Sequence, residues 1–135
     1  MGDLFHLVPK DTWVEHKVAD TPYYPNTYEQ DGFTHLTKDP AFLLGVANNF
    51  YRATTPWNWI CLRIDPKKLS HEVKFEPAAP VGTTPPSDAM QGKGKEEPVL
   101  FPHLYGTIDF DAVTAEHAVE RDGHTGEFLR IHDIT

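Results

Sequence analysis

The strongest local signal in the sequence lies at residues 39–64, which read DPAFLLGVANNFYRATTPWNWICLRI. Asp39 is a favourable N-cap residue, and Pro40 suits the first helical position because its missing N–H would have no partner there. The apolar residues that follow recur at helical spacing: Phe42, Leu43, Val46, Ala47 and Phe50. This pattern predicts a helix that begins after Asp39 and buries one face.

The second half of the stretch, Trp57 to Ile64, is typical of a central strand. Alternation places Ile60, Leu62 and Ile64 on one face and Trp59, Cys61 and Arg63 on the other. Both faces are therefore largely apolar. A cysteine in the middle of such a strand is more typical of a small buried hydrophobe than of a nucleophile. As the one cysteine of the chain, it excludes an internal disulfide.

Outward from this stretch, the pattern predicts further short strands and one more helix. We expect strands at residues 3–8, 33–37, 71–75, 100–105, 113–120 and 128–131, and a helix over Thr12–Val18 capped by Asp11. Pro102 predicts an edge strand or a bulge, because proline cannot donate a ladder hydrogen bond. Since both helices come early, the sequence favours an α+β fold with bent, mostly antiparallel sheets.

The stretch from Glu76 to Pro98 has a different character. It contains five Pro and three Gly and no aromatic residue. Such a composition offers little apolar burial to offset the entropy of ordering the chain. We therefore expect an exposed, mobile insertion at residues 76–98 within a single domain spanning residues 1–135.

Composition excludes several classes of function. The chain has 135 residues, 39% of them apolar, and a formal net charge of −8. This charge argues against non-specific nucleic-acid binding and against an anionic membrane surface, because both require a basic face. No apolar run approaches the ~20 residues that span a membrane. Since no signal segment opens the sequence, we expect a cytoplasmic protein.

Three of the eight histidines lie in apolar, strand-like sequence: His6, His35 and His103. Alternation gives each of them apolar or aromatic neighbours on its own face, and Thr37 shares the face of His35. One interpretation is a set of core histidines bonded to the backbone. The other is a cleft in which the three converge and supply neutral donors and acceptors for a ribose hydroxyl or a phosphate.

The remaining histidines carry no functional prediction. His16, His71, His117, His124 and His132 lie in polar or turn contexts, and we assign them to surface or hairpin positions. Zinc is a rival explanation for His6, His35 and His103, since three His can form an open catalytic site. Their separations of 29 and 68 residues provide no local chelating pair, so we expect no metal.

Several blocks around these histidines resemble an uncharacterised family, domain-of-unknown-function family 952. They are FHLVP at residues 5–9, DGFTHLT at 31–37, LRIDPKKL at 62–69, LFPHLYG at 100–106 and DFDAV at 109–113. The resemblance extends from Leu4 to Val119. It implies a fold similar to ADP-ribosyltransferases, with a split pair of small sheets around an NAD-binding cleft.

The resemblance also implies roles for individual residues. By position, His6 corresponds to the first-strand residue that binds the ribose next to nicotinamide. His35, with Thr37, corresponds to the second-strand residue on the nicotinamide side, as in the branch that contains RNA 2′-phosphotransferases. His103 stands near the place of the superfamily's late-strand Glu, and no Glu is found there.

The sequence thus predicts an ADP-ribosyltransferase-like protein that acts on NAD or on a related small phosphate-bearing nucleotide. His6, His35 and His103 are the candidate catalytic residues; His6, His35 and Thr37 are the candidate ligand-binding residues. The alternatives are a nucleotide or ADP-ribose binding module without turnover, a His-ligated metalloenzyme, and a purely structural role for the histidines.

Overall fold

The computed structural model describes residues 2–135 and contains two small antiparallel sheets. The first sheet has the strand order β1-β3-β6-β7, and the second sheet has the order β2-β5-β4. The strands are β1 (Leu4–Pro9), β2 (Thr34–His35), β3 (Trp59–Ile64), β4 (Val73–Pro77), β5 (Leu100–Leu104), β6 (Val113–Arg121) and β7 (Phe128–Ile131). All five strand pairings are antiparallel, so the predicted α+β class with antiparallel sheets is confirmed.

The helices all lie in the first 50 residues. They are α1 (Lys10–Ala19), α2 (Tyr28–Asp31) and α3 (Leu43–Phe50), with short 3₁₀ turns at Pro40–Phe42, Pro66–Lys68 and Phe110–Ala112. The sequence predicts only two of these helices, because the four residues of α2 are too few to show helical periodicity. Among the residues that the structure describes, 2–135, no helix is long and apolar enough to cross a membrane.

The predicted start of the strongest helix is confirmed. The Asp39 carboxylate accepts a hydrogen bond from the Ala41 N–H at 2.9 Å, and the 3₁₀ turn that begins at Pro40 leads directly into α3. For α1 the predicted cap is wrong. That helix begins at Lys10, so Asp11 lies in its first turn and no side chain caps it.

Strand β3 separates two apolar clusters, as its alternation predicts. Trp59 and Cys61 pack in one cluster with α3, while Ile60, Leu62 and Ile64 pack in the other. The α3 side chains Leu43, Val46, Ala47 and Phe50 are all buried. Because β3 contributes side chains to both clusters, it lies at the centre of the core. Burying each large apolar side chain contributes roughly 1.5–3 kcal/mol before entropic costs.

Strand β5 is the central strand of the second sheet, although Pro102 predicts an edge or a bulge. The Pro102 carbonyl accepts from the Leu36 N–H at 3.1 Å, so the proline nitrogen faces the same neighbour. On that side the regular strand β2 has already ended at His35. The missing donor therefore removes no bond of the β2 ladder, and a central position is tolerated.

The segment of residues 76–98 is less exposed than the sequence predicts. Glu76 and Pro77 belong to β4, and Val81 and Met90 are buried in the same cluster as α3. The prediction of an exposed insertion is wrong at Val81 and Met90. Val81 and Met90, with the partly buried Ala78, attach the segment to the core despite its Pro and Gly content.

Thr37 connects the two sheets at the end of β2. The Phe5 N–H donates to the Thr37 carbonyl at 2.8 Å, and the Thr37 N–H donates to the Phe5 carbonyl at 2.9 Å. The predicted strand at residues 33–37 is thus divided: Thr34 and His35 pair with β5, whereas Thr37 pairs with β1 of the first sheet. Phe5 and Thr37 themselves line one of two hollows that lie beside this junction.

Candidate functional site

Two adjacent hollows lie beside the junction of the sheets. The larger, called the cleft, has a volume of about 390 Å³, and its lining includes His6, Tyr23, Gln30, Tyr51, Trp59 and Thr84. The smaller, called the inner cavity, has a volume of about 20 Å³, and its lining includes His35, Thr37, Tyr51 and His103. Tyr51 and three apolar residues line both hollows, so the two are neighbours.

His6 is buried at the base of the cleft with both ring nitrogens bonded inside the protein. Its Nδ1 lies 2.7 Å from the His35 carbonyl, which can only accept, so Nδ1 carries the proton. Burial lowers the pKa of His6 to about 4, so the ring is neutral at pH 7. Its Nε2 therefore accepts from the Tyr23 hydroxyl at 2.8 Å. The tautomer of His6 is fixed, and a ligand meets no free ring nitrogen there.

His35 forms a close pair with the carboxylate of Asp31. Its Nε2 donates to Asp31 Oδ2 at 2.9 Å, and the Asp31 side chain is only 5% exposed. The Gly82 N–H also donates to that carboxylate, at 3.2 Å. Burial lowers the pKa of His35, although the neighbouring Asp31 opposes this shift. The result is an imidazole with a fixed donor at Nε2 and a lone pair at Nδ1.

His103 forms a second pair, with Glu76 of the neighbouring strand β4. Its Nδ1 donates to Glu76 Oε1 at 2.9 Å, and the Tyr105 hydroxyl donates to the same oxygen. These two hydrogen bonds lower the pKa of Glu76, so it remains a carboxylate. Burial lowers the pKa of His103 against the effect of Glu76. A neutral His103 thus has a lone pair at Nε2.

The three predicted histidines lie close together but play different parts. The rings of His35 and His103 meet edge to face with centroids 5.7 Å apart, and Phe33 stacks on His103 at 4.0 Å. His6 joins them through the His35 backbone carbonyl. His35 and His103 line the inner cavity, whereas His6 lines the cleft.

Thr37, the fourth predicted residue, is buried and lines the inner cavity beside His35 and His103. A volume of about 20 Å³ is sufficient for roughly one water molecule. The inner cavity is thus too small for a nucleotide, whereas the cleft has room for a nucleoside-sized group.

Sequence reasoning misses four polar partners of the histidines: Tyr23, Asp31, Glu76 and Tyr105. Glu76 was placed at the edge of the predicted loop, but it lies in β4 opposite Phe101 of β5. Alternation along β4 places Glu76 on the same face as Lys74. Once the strand register is known, Lys74 lies opposite His103, so the Glu76 side chain is expected near His103. Tyr23 and Asp31 have no comparable signal, because Tyr23 lies in irregular backbone and Asp31 ends the four-residue helix α2.

One of the other histidine assignments is wrong. His117 lies on β6 and is buried, and its Nε2 accepts from the Arg63 Nε–H at 3.2 Å. Arg63 in turn donates to Asp3 at 3.1 Å. A surface position was predicted because the flanking residues are polar, but the faces of β6 alternate and His117 points inward.

Cys61 and a cluster of metal-ligating side chains are the remaining candidates for chemistry. Cys61 is fully buried, and burial raises the pKa of its thiol to about 12, so it is an unreactive core residue. Within residues 2–135, no group of three or more His, Cys, Asp and Glu side chains is placed so that it could hold a metal ion.

Comparison with solved structures reveals a similar fold. The crystal structure of protein CC0527 from Caulobacter crescentus matches with a TM-score of 0.68 at 20% sequence identity, covering 94% of this chain and 93% of that one. A double mutant of the same protein gives the same values. At this identity the likeness shows the fold alone.

Two comparisons by sequence give different outcomes. None of the curated proteins matches the chain. The family model described as "Protein of unknown function (DUF952)" matches residues 7–116, a range that contains His35 and His103 and ends within β6. His6 directly precedes it. Because this match covers most of the sequence, the chain belongs to the DUF952 family.

Proposed function

We propose that this chain is an ADP-ribosyltransferase-like protein that acts on NAD or on a related ADP-ribosyl or phosphorylated nucleotide. The observation that carries the proposal is the meeting of two histidine–carboxylate pairs, His35 with Asp31 and His103 with Glu76, next to the cleft. The arrangement of two small sheets beside a cleft is in keeping with the split-sheet fold that the sequence resemblance implies.

The chemistry assigned to the site is attack at the anomeric carbon of a ribose. In that step the bond between ribose C1′ and the nicotinamide nitrogen breaks, and its electron pair leaves with nicotinamide. The acceptor is a water molecule, for which the inner cavity has room. Its oxygen forms the new bond to C1′ of a ribose that lies in the adjacent cleft, and it gives a proton to the lone pair on His103 Nε2. A base with this geometry is effective only when neutral, which agrees with the lowered pKa of His103.

Asp31 and Glu76 supply the negative charge that the late-strand Glu provides in the superfamily, since this sequence has no Glu at that position. Positive charge develops on the ribose as the glycosidic bond breaks, and negative groups held nearby stabilise it. Asp31 is buried beside His35 and Glu76 lies beside His103. We assign Asp31 and Glu76 this electrostatic role, together with the orientation of the two imidazoles.

Nicotinamide release from NAD tests the proposal. Wild-type protein is expected to release nicotinamide, and His103→Gln and His35→Gln are each expected to lower the rate about 100-fold or more. His124→Gln is the matched control, because His124 is exposed in the turn between β6 and β7 and lies outside both hollows. Thermal melts of every variant separate loss of activity from loss of folding.

The outcomes separate catalysis from its alternatives. Equal rates in wild type and both site variants would contradict the assigned roles. Absence of turnover with NAD and with ADP-ribosylated model substrates would contradict an enzyme that acts on these compounds.

A binding module without turnover is the second candidate, and one observation favours it. Both ring nitrogens of His6 are bonded to Tyr23 and His35, so His6 offers no free atom to a ribose hydroxyl. In this case His6 orients the Tyr23 hydroxyl at the cleft. Thermal stabilisation by ADP-ribose that is lost in Tyr23→Phe, without product formation, would support this candidate. Stabilisation that is unchanged in Tyr23→Phe would contradict it.

A further inference from the structure

The lining of the cleft combines apolar and uncharged polar side chains and contains no formal charge. Among its described lining residues, none is Lys, Arg, Asp or Glu, and the only ionisable imidazole is that of His6. His6 is held neutral because burial lowers its pKa to about 4. A phosphate placed in the cleft would therefore meet no cationic side chain, and burying an unpaired phosphate is unfavourable.

The surroundings of the cleft also disfavour an anion. The buried Asp31 carboxylate is bonded to the N–H of Gly82, a cleft residue. The charge of Asp31 also acts on Tyr51. Burial raises the pKa of the Tyr51 hydroxyl, and Asp31 raises that pKa further. The first turn of α1 reaches the cleft through Thr12, but Asp11 in the same turn offsets the positive end of the helix.

The hydroxyl and aromatic groups that line the cleft suit a ribose and a nucleobase. Six threonines line the cleft, and the hydroxyls of Thr12 and Thr84 make no hydrogen bond to any residue in the range 2–135. Tyr51 and the mostly buried Trp59 also line the cleft, with ring centroids 4.6 Å apart. Hydroxyls pair with the hydroxyls of a ribose, and aromatic faces stack with a base.

We infer that the cleft recognises the uncharged nucleoside portion of its ligand and leaves the phosphate groups in solvent. The inference rests on the proposed function and names the part of the substrate that the cleft holds. A ribonucleoside should therefore bind about as tightly as its own 5′-phosphate. The overall charge of −8 adds to this preference, because it repels phosphate groups.

Calorimetric titration with matched pairs of neutral nucleosides and their monophosphates tests the inference, using adenosine against AMP and inosine against IMP. For the pair that binds, the Kd of the nucleoside is expected to lie within threefold of that of the monophosphate or below it. Raising NaCl from 50 to 500 mM should change the nucleoside Kd by less than twofold, since no ion pair is involved.

Two variants locate the binding. Thr84→Val removes a free hydroxyl from the cleft and is expected to weaken nucleoside binding about fivefold or more. Thr114→Val is the matched control, because Thr114 is exposed on β6 outside the cleft, and it should leave the Kd unchanged.

The results distinguish this inference from the proposed function. A monophosphate that binds more than threefold tighter than its nucleoside would overturn the inference, while NAD turnover could still stand. Equal effects of Thr84→Val and Thr114→Val would also overturn it. If neither nucleosides, monophosphates, NAD nor ADP-ribose bind, both the inference and the proposed function are wrong.

Discussion

His6 links the stability of the protein to pH through its buried, neutral ring. The unfolded chain takes up a proton at His6 near pH 6.5, but the folded chain does so only near pH 4. Between these values the unfolded state binds more protons, so stability falls as the pH falls through this window. The shift corresponds to about 3 kcal/mol, lost progressively from pH 6.5 to pH 4.

Urea unfolding of wild type and His6→Asn between pH 4 and pH 7.5 measures this effect. The Asn side chain keeps an N–H donor for the His35 carbonyl and cannot take up a proton. We expect the variant to be less stable than wild type at pH 7 and the difference to shrink towards pH 4. His124→Asn, at an exposed position, should follow the wild-type profile. A constant difference between His6→Asn and wild type would contradict the assignment.

The carboxylate of Glu76 sets the proton affinity of His103. Burial lowers the pKa of His103, and the Glu76 carboxylate opposes that effect. In Glu76→Gln the opposing charge is removed while a hydrogen-bond acceptor remains. We therefore expect the pKa of His103 to fall further, as measured by an NMR titration of its ring proton. Glu72→Gln is the control, since Glu72 is exposed and does not bond to His103. A rise in the pKa would contradict the pairing.

At the scale of elements, Arg121 holds the connection between α3 and β3. Its guanidinium donates to the carbonyls of five residues: Tyr51, Arg52, Thr54, Pro56 and Gly126. It also lies between the rings of Trp57 and Phe128, at 4.4 and 4.2 Å from their centroids. Because Tyr51 and Thr54 line the cleft, Arg121 maintains the shape of one cleft wall.

Replacement of Arg121 by Lys should destabilise the protein by about 2–4 kcal/mol, because an ammonium cannot reproduce the planar fork or the stacking. Chemical denaturation measures the loss, and hydrogen exchange at residues 51–58 should become faster. Arg130→Lys is the control, since the Arg130 side chain is 57% exposed on β7. Similar losses in both variants would show that the carbonyl contacts contribute little.

The predictability of the elements follows the length of their patterns. The helix after Asp39 and both faces of β3 follow from periodicity alone, because each pattern repeats over a full element. The central place of β5 does not, since Pro102 is tolerated only because β2 ends at His35. A helix of four residues is too short to give a recognisable pattern, and the strand pattern at residues 33–37 does not show that its two ends pair with different sheets.

At the scale of the whole molecule, the segment after β4 closes the apolar cluster beneath α3. Met90 is 5% exposed and belongs to the apolar cluster that contains side chains of α3 and β7. Met90→Ala should therefore cost about 2–5 kcal/mol of unfolding free energy, the range for large-to-small core changes. Glu96→Ala, at an exposed position of the same segment, should change it by less than about 0.5 kcal/mol. Equal small effects would restore the prediction of an exposed insertion.

The fold class, the main helix, the two-faced central strand and the three histidines in apolar strands all follow from the amino-acid sequence alone. These features depend on local periodicity, which specifies the face on which a side chain lies. The identity of the groups that meet depends on the folded chain: Glu76 contacts His103 across 27 residues of sequence, and Tyr23 contacts His6 across 17. Such contacts depend on strand order and register, and these are fixed by packing of the complete chain, which no local pattern encodes.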